Sequence, residues 1–501
     1  MIRAPRHFRR FRVFAAAMMV AFLPATALAH GRLKSAVPAA GSTLTVVPRE
    51  LRLDFSESPD LTFSSIRVVS STGRDIPLGV LGYSADSRRS IVTRIAGALD
   101  AGVYTVIWQM AGDDGHPVRG RYDFVIAGDA TGVDVAPVGV TAVPAVGAAS
   151  TAADSAAMAN MHHDPVSMPE GNGFGADSPL YVLVRWLQYI GLLLAIGAAS
   201  FYTFVLGFIR RRPQPDLLTL LPAMEVRAAI IGYRAALLLG VSLVLRLGAQ
   251  GVAMHGSTVI AHPSVMLNML GKTMWGWGWL LQLAGIAVAG LGFHGARAIG
   301  DLPVADSTGS SGRNSQLWWR LAALGGVLLA FSPGLSSHAA ASPKLRTLAM
   351  LADGFHVLGA SSWLGTLAIV LFSGVTFAAA NRTEISAVLV RELINAFSPV
   401  ALASAGVAVS TGVFAAWLHV GTVPNLWGTR YGLILMTKLG VLGIVAITGF
   451  YNWRFVKPRL GTTDATGHLN RSARVEVAVA AIVLLITAVL VASPTSLDMT
   501  M

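Results

Sequence analysis

Three residues in the first quarter of the chain could together bind a metal ion. The stretch ALA at 27–29 fits the small-x-small rule for signal-peptidase cleavage, so that His30 would begin the mature chain. A histidine at a free N-terminus offers its α-amino nitrogen and its imidazole to the same metal. Asp114 and His116, two residues apart, add a carboxylate and a second imidazole. Nitrogen and oxygen ligands in a tetragonal arrangement are those that suit Cu(II).

A second candidate pair lies in an apolar segment. Asp353 and His356 are three residues apart, so a helix would place them on one face. An ionisable pair at such a depth is costly unless it faces the protein interior or a wet cavity. Asp353 could orient the His356 imidazole or bind the metal itself. The alternative is a structural pair that holds helices together.

Other candidate ligands are scattered between these two sets. Three histidines near the ends of apolar segments could extend a copper pathway through a membrane: His255, His338 and His419. The stretch MANMHHDPVSM could act as a loose copper relay through Met161, His162, His163 and Met168. Thioether sulfur suits Cu(I), although methionines also serve as ordinary flexible apolar side chains.

The segment before His30 is typical of a signal peptide. MIRAPRHFRRFR carries five arginines and precedes an apolar run. That run is short for a bilayer span, which disfavours the alternative of an uncleaved first membrane helix. The Arg9-Arg10 pair leaves twin-arginine export open beside the general secretory route. Residues 1–29 are therefore predicted to direct export.

The composition indicates a membrane protein. Hydrophobic residues make up 53% of the 501 residues and charged residues only 13%, which is too apolar for a soluble chain. There is no cysteine, so disulfides and thiolate metal sites are excluded. The formal net charge of +12 includes the signal-peptide arginines, and the other charges are spread along the chain. Nucleic-acid binding is therefore not expected.

The mature chain divides into three parts. Residues 30–128 contain short alternating runs such as LRLDFSE and SIRVVS, separated by turn residues, which predicts a small antiparallel β sandwich or barrel. Residues 129–178 are rich in Ala, Val, Gly and Ser and are predicted to be a flexible linker. Residues 179–495 are dominated by long apolar stretches and predict an all-α membrane bundle.

About eight membrane-spanning helices are expected in this bundle. The predicted spans lie near 179–209, 228–254, 275–295, 316–335, 347–378, 395–419, 430–451 and 474–493. Arginine and lysine are concentrated in the loops after odd-numbered spans, which predicts that these loops are cytoplasmic. The β domain and the C-terminus would then face the periplasm of a bacterial inner-membrane protein. Of the histidines beyond the signal peptide, only His294 and His468 map to the cytoplasmic side.

The N-terminal part resembles the periplasmic copper-resistance family CopC. The resemblance lies in HGRLKSAVPAAGSTL, LRLDFSE and WQMAGDDGHPVRGRYDFVI, and it covers residues 30–128. It implies a cupredoxin-like β-barrel whose Cu(II) ligands correspond here to His30, Asp114 and His116. Some members of the family add a methionine-rich Cu(I) site. Because this domain has no methionine before Met110, only the Cu(II) site is implied.

The membrane part resembles the CopD family, and the domain order resembles CopC–CopD fusion proteins of the YcnJ type. The matching stretches include LADGFHVLGASSWLG, YGLILMTKLGVL and FYNWRFVKPRL. The second half of the bundle carries most of the motifs, whereas the first four spans match mainly by hydropathy. The resemblance implies copper uptake across the inner membrane.

These observations favour copper acquisition over two other functions. One alternative is a membrane electron-transfer protein that holds b-type haem between helix histidines. The other is a membrane-anchored periplasmic copper buffer that confers resistance. No Walker A motif is present, and an enzyme is not expected. The expected partners are copper ions, the lipid bilayer and periplasmic copper chaperones.

Overall fold

The structure, a computed structural model, describes most of the β domain and of the helical region. The described residues are 33–56, 58–112, 117–128, 178–212, 214–255, 263–300, 309–337, 345–381, 383–460 and 463–493. The predicted signal peptide lies outside these residues. So does the predicted linker, apart from Ser178, whose side chain accepts a hydrogen bond from the backbone N–H of Tyr181 and caps the first helix.

The described part of the N-terminal domain contains nine strands. They are β1 Leu33–Val37, β2 Thr43–Leu44, β3 Glu50–Phe55, β4 Ser65–Ser70, β5 Asp75–Ile76, β6 Gly82–Ser84, β7 Ser87–Arg94, β8 Gly102–Ala111 and β9 Pro117–Ile126. One sheet has the order β1-β3-β7-β6 and the other the order β2-β9-β8-β4-β5. All pairings are antiparallel except β2 with β9. The predicted β fold is confirmed.

Side chains from both sheets fill one apolar core. Leu51, Leu53 and Phe55 alternate along β3 and are buried, as the period of two of a half-buried strand requires. On the facing sheet, Trp108 meets Phe55 edge to face with 5.4 Å between the ring centroids. Burial of each of these side chains stabilises the fold by roughly 1.5–3 kcal/mol. The core therefore fixes the long β8–β9 hairpin, whose register runs from Gly102↔Ile126 to Ala111↔Pro117.

Among the described residues, eight helices are long and apolar enough to cross a membrane, as predicted. They are α1 Pro179–Arg210, α2 Pro215–Met254, α3 Met274–Ala298, α4 Asn314–Ser336, α5 Arg346–Asn381, α6 Glu384–Val420, α7 Arg430–Arg459 and α8 Leu469–Ala492. A short helix, Pro263–Lys272, precedes α3.

Two of these helices begin earlier in the chain than the apolar pattern predicts. The start of α6 is fixed by a capping box in which the hydroxyl of Thr383 accepts from the backbone N–H of Ser386. The first turns of α2 carry Glu225, which pairs with Arg210 of α1. Both starts are polar, so a prediction made from apolar runs alone misses them.

Helices α1 and α5 approach each other closely at two glycines. A Cβ atom added at Gly197 would overlap the backbone of Gly365. The hydroxyl groups of Ser200 and Ser362 lie 3.0 Å apart in the same interface. Small residues and buried hydroxyl groups at such a crossing are typical of helix packing in membranes. This contact joins the first half of the bundle to the helix that carries Asp353 and His356.

Gly197→Ala should therefore destabilise the bundle. We expect a loss of about 1–3 kcal/mol, because the added methyl group must push two backbones apart. Thermal unfolding of the purified protein in detergent measures it. Gly240→Ala in α2 is the matched control, since a Cβ there meets no atom within 4 Å. An unchanged melting temperature for Gly197→Ala would show that α1 and α5 do not meet at this glycine.

Candidate metal-binding site

The predicted Cu(II) ligands of the β domain lie just beyond described elements. Asp114 and His116 fall between the end of β8 at Ala111 and the start of β9 at Pro117, and His30 precedes β1. All three lie outside the described residues, so their coordination stays a prediction. The surroundings of the β8–β9 hairpin, by contrast, are described.

The hairpin is hydrogen-bonded to the end of α2. The Gln109 side chain on β8 donates through Nε2 to the Met254 carbonyl at 2.9 Å, and its exposed fraction is only 7%. Arg119 on β9 donates through Nε to Gln109 Oε1 at 2.7 Å and through Nη2 to the Ala253 carbonyl at 3.2 Å. The last carbonyls of a helix lack partners within the helix, and a cation there also complements the helix dipole.

An apolar contact lies beside these hydrogen bonds. Phe63 and Ala111 of the β domain are fully buried in one cluster with Met254, Met269 and Trp275 of the membrane region. The cluster excludes water from the polar contact and makes a covered interface. We call the end of the bundle at which α2 ends the β-domain end. Successive helices alternate in direction. The start of α3, the end of α4 and the start of α5 therefore also lie at the β-domain end.

Asp353 and His356 lie near this end of α5 but are held by different partners. The Ser337 hydroxyl donates to Asp353 Oδ2 at 2.7 Å. The His356 Nδ1 lies 2.9 Å from the Ala408 carbonyl and 3.1 Å from the Thr411 hydroxyl, both on α6. The described contacts of the His356 imidazole are therefore with α6 rather than with Asp353. Spacing on one helix put the two residues on a common face, but α6 packs closely enough to supply its own acceptor.

The contact with Ala408 fixes the chemical state of the imidazole. A carbonyl oxygen can only accept, so Nδ1 carries the hydrogen and a neutral ring leaves Nε2 with a free lone pair. Gly412 makes room for the ring, since a Cβ there would lie 3.2 Å from His356 Cε1. Lys438 of α7 interacts electrostatically with both Asp353 and His356. A carboxylate, an imidazole and an ammonium group thus come from two helices and share one region.

A third polar group was missed by the sequence analysis. It comprises Tyr181, Arg185 and Gln188 of α1, Arg246 and Gln250 of α2, and Gln282 of α3. The Tyr181 hydroxyl bonds to Gln250, and the Arg185 guanidinium lies 4.1 Å from the centroid of the Tyr181 ring. Arginine and glutamine are not common metal ligands, so the candidate ligands in the sequence do not include them. The available signal was the presence of such side chains inside apolar spans.

Comparisons with known proteins assign both parts of the chain. Residues 33–127 match the CopC domain, residues 176–348 the N-terminal domain of copper resistance protein D-like proteins, and residues 391–490 copper resistance protein D. Copper resistance protein C of Pseudomonas syringae pv. tomato is 32% identical over 23% of this chain and 91% of its own length. The chain belongs to the CopC–CopD copper family.

Two further proteins are similar to this chain. The Copper transport protein CutJ of Bacillus subtilis is 24% identical over 95% of this chain and 76% of its own length. The crystal structure of CopC from Methylosinus trichosporium OB3b is 30% identical over 20% of this chain and 94% of that chain, with a TM-score of 0.19. The predicted resemblance to CopC and CopD is confirmed.

Two of the remaining predicted CopC–CopD site residues lie on described helices. His419 is half-buried in the last turn of α6, and His255 ends the helical segment Leu221–His255, with its side chain outside the description. The other predicted ligands lie outside the described residues: His338, Met161, His162, His163 and Met168. Within the described ranges, no group of three or more His, Asp or Glu is placed to hold a metal ion.

The β-domain contact can be tested with an introduced thiol, because the chain has no cysteine. Ala111→Cys places a single thiol in the covered interface, where maleimide should react slowly. Adding Gln109→Ala should speed labelling about tenfold, since the loss of one hydrogen bond of about 1–1.5 kcal/mol raises the open population by that factor.

Arg121→Ala is the matched control for this labelling experiment. Arg121 is an exposed arginine on β9, two residues from Arg119. Its removal should leave the labelling rate of the introduced thiol unchanged. Equal rates with and without Gln109→Ala would mean that the Gln109 hydrogen bond does not hold the domains together.

Proposed function

We propose that this protein of the copper transport and resistance family imports copper. The β domain captures Cu(II) and passes it to the membrane helices. The observation that carries the proposal is the pair of hydrogen bonds from Gln109 and Arg119 to the end of α2. They hold the hairpin that leads into the predicted Asp114 and His116 ligands against the bundle, so that a captured ion is released beside the helices rather than into bulk water.

Capture would use the ligands that the resemblance to CopC implies. His30 offers an amine and an imidazole, His116 a second imidazole and Asp114 a carboxylate, a set that favours Cu(II). We propose that the β-domain end faces the periplasm, consistent with the concentration of positive charge in the opposite loops. Periplasmic copper chaperones would then have access to the β domain.

The membrane step would begin at His356 and Asp353. The hydrogen bond from Nδ1 to the Ala408 carbonyl leaves His356 Nε2 as the atom that could bind copper. Asp353 supplies a negative charge that attracts a cation. Lys438 supplies a positive charge, so an arriving cation must displace the Lys438 ammonium from Asp353. We propose that Lys438 occupies the site in the absence of copper.

Transport, rather than catalysis, is the proposed role. The chain contains no cysteine, so it has no thiol that could reduce Cu(II). Copper that moves through the bundle as Cu(I) would be reduced by another component. The predicted linker relay and the ligands His255, His338 and His419 remain further candidates along the route between the domains and through the bundle.

The decisive measurement is total cellular copper under copper limitation. Cells that make the intact protein should hold more copper than cells without it, and His356→Ala should return copper to the level without the protein, because Nε2 is lost as a ligand. His294→Ala is the matched control. His294 lies near the opposite end of α3, where its ring is 5.6 Å from that of Tyr233.

The other outcomes separate the alternative functions. A cellular copper level that depends on His30 but is unaffected by His356→Ala would indicate a membrane-anchored buffer. Copper that falls when the intact protein is made would indicate export. A haem Soret band in the purified protein would support the electron-transfer alternative and count against import.

A further inference from the structure

Arg246 of α2 is a charged side chain with neutral partners. Its Nη2 donates to the Ser336 hydroxyl at 2.9 Å, and its Nη1 lies 3.5 Å from Gln282 Oε1. The guanidinium carbon lies 5.3 Å from the centroid of the Trp275 ring. Within the described ranges, no carboxylate is ion-paired with Arg246. Arg246 is half-buried, and partial burial among apolar helices removes part of the hydration of a guanidinium, which an anionic partner would replace.

Gln282 presents a second donor in the same place. Its Oε1 accepts from Gln188 Nε2 at 2.7 Å and also faces Arg246, so the amide is oriented with its nitrogen on the other side. Gln282 is only 1% exposed, and its Nε2 has no partner. The Nε of Arg246 is also buried and has no hydrogen-bond acceptor. Native structures rarely leave buried donors unpaired, so two such donors on contacting side chains indicate an acceptor that binds there.

The carboxylate of Asp353 has its own hydrogen-bond partner. Asp353 accepts from Ser337, and Arg246 donates to the adjacent Ser336. The two serines thus separate the guanidinium from the carboxylate while linking both to the end of α4. The region around Arg246 and Gln282 is therefore rich in donors and carries positive charge. It would repel a bare metal cation.

We propose that Arg246 and Gln282 bind a small carboxylate anion that enters from the β-domain end of the bundle. A carboxylate has one negative charge to match one guanidinium and two oxygens to accept from two separate donors. Water could satisfy the donors but could not balance the charge. The site is distinct from the Asp353 and His356 region and does not depend on the direction of copper transport.

The test uses the full-length protein in nanodiscs of zwitterionic lipid, with acetate as the probe. Saturation-transfer NMR reports binding through the acetate methyl protons, at constant ionic strength set with chloride. Arg246→Gln should weaken acetate binding about tenfold or more, since it removes a charge-assisted hydrogen bond. Gln282→Leu should weaken it as well. Arg234→Gln, which removes an exposed arginine of the same helix, should leave it unchanged.

Thermal unfolding distinguishes an anion site from a structural arginine. If the site binds an anion, Arg246→Gln without acetate should melt at the same temperature as the parent protein or higher, and acetate should raise the melting temperature of the parent alone. Three results would overturn the proposal: no acetate transfer to the parent, equal transfer to Arg246→Gln, or an effect of phosphate without one of acetate. The last would assign the donors to a lipid phosphate.

Discussion

The relation between the two domains depends on the unpaired carbonyl groups at the end of α2. A helix cannot satisfy its own last carbonyls, and here the β domain supplies donors through Gln109 and Arg119. The two donors lie on opposite strands of one hairpin and bond to each other as well. The hairpin therefore cannot tilt on one strand alone. Phe63 and Ala111 cover the contact, so separation of the domains would expose both apolar surface and polar groups.

The same constraint shapes the interior of the bundle. Polar groups among apolar helices need partners inside the protein, because lipid supplies none. Asp353 meets this requirement through Ser337, and His356 through the backbone of α6 at Ala408. The first contact ties α5 to the residue that follows α4, and the second ties α5 to α6, so these residues stabilise the packing and also fix their own chemical state. The structural and ligand interpretations of the pair are thus compatible, since Nε2 of the imidazole is not used in the described contacts.

The sequence predicted those features that depend on local pattern. Eight apolar stretches correspond to α1–α8, and the run SIRVVS forms β4. The partners of His356 could not be predicted, because Ala408 contributes a backbone carbonyl that has no signature in sequence. Gln109 and Arg119 were also missed, since a contact across more than a hundred residues follows from docking. Arg246 and Gln282 were visible inside apolar spans, but a search for metal ligands excludes both residue types.

Two regions of opposite preference now lie side by side at the β-domain end. The carboxylate of Asp353 and the imidazole of His356 suit a cation, whereas the guanidinium of Arg246 and the amide of Gln282 suit an anion. Ser336 accepts a hydrogen bond from Arg246, and the next residue, Ser337, donates one to Asp353. An anion held at Arg246 would lower the local positive potential and strengthen cation binding at Asp353. By linkage, a bound cation would strengthen anion binding to the same degree. Each region, once filled, would therefore favour occupation of the other.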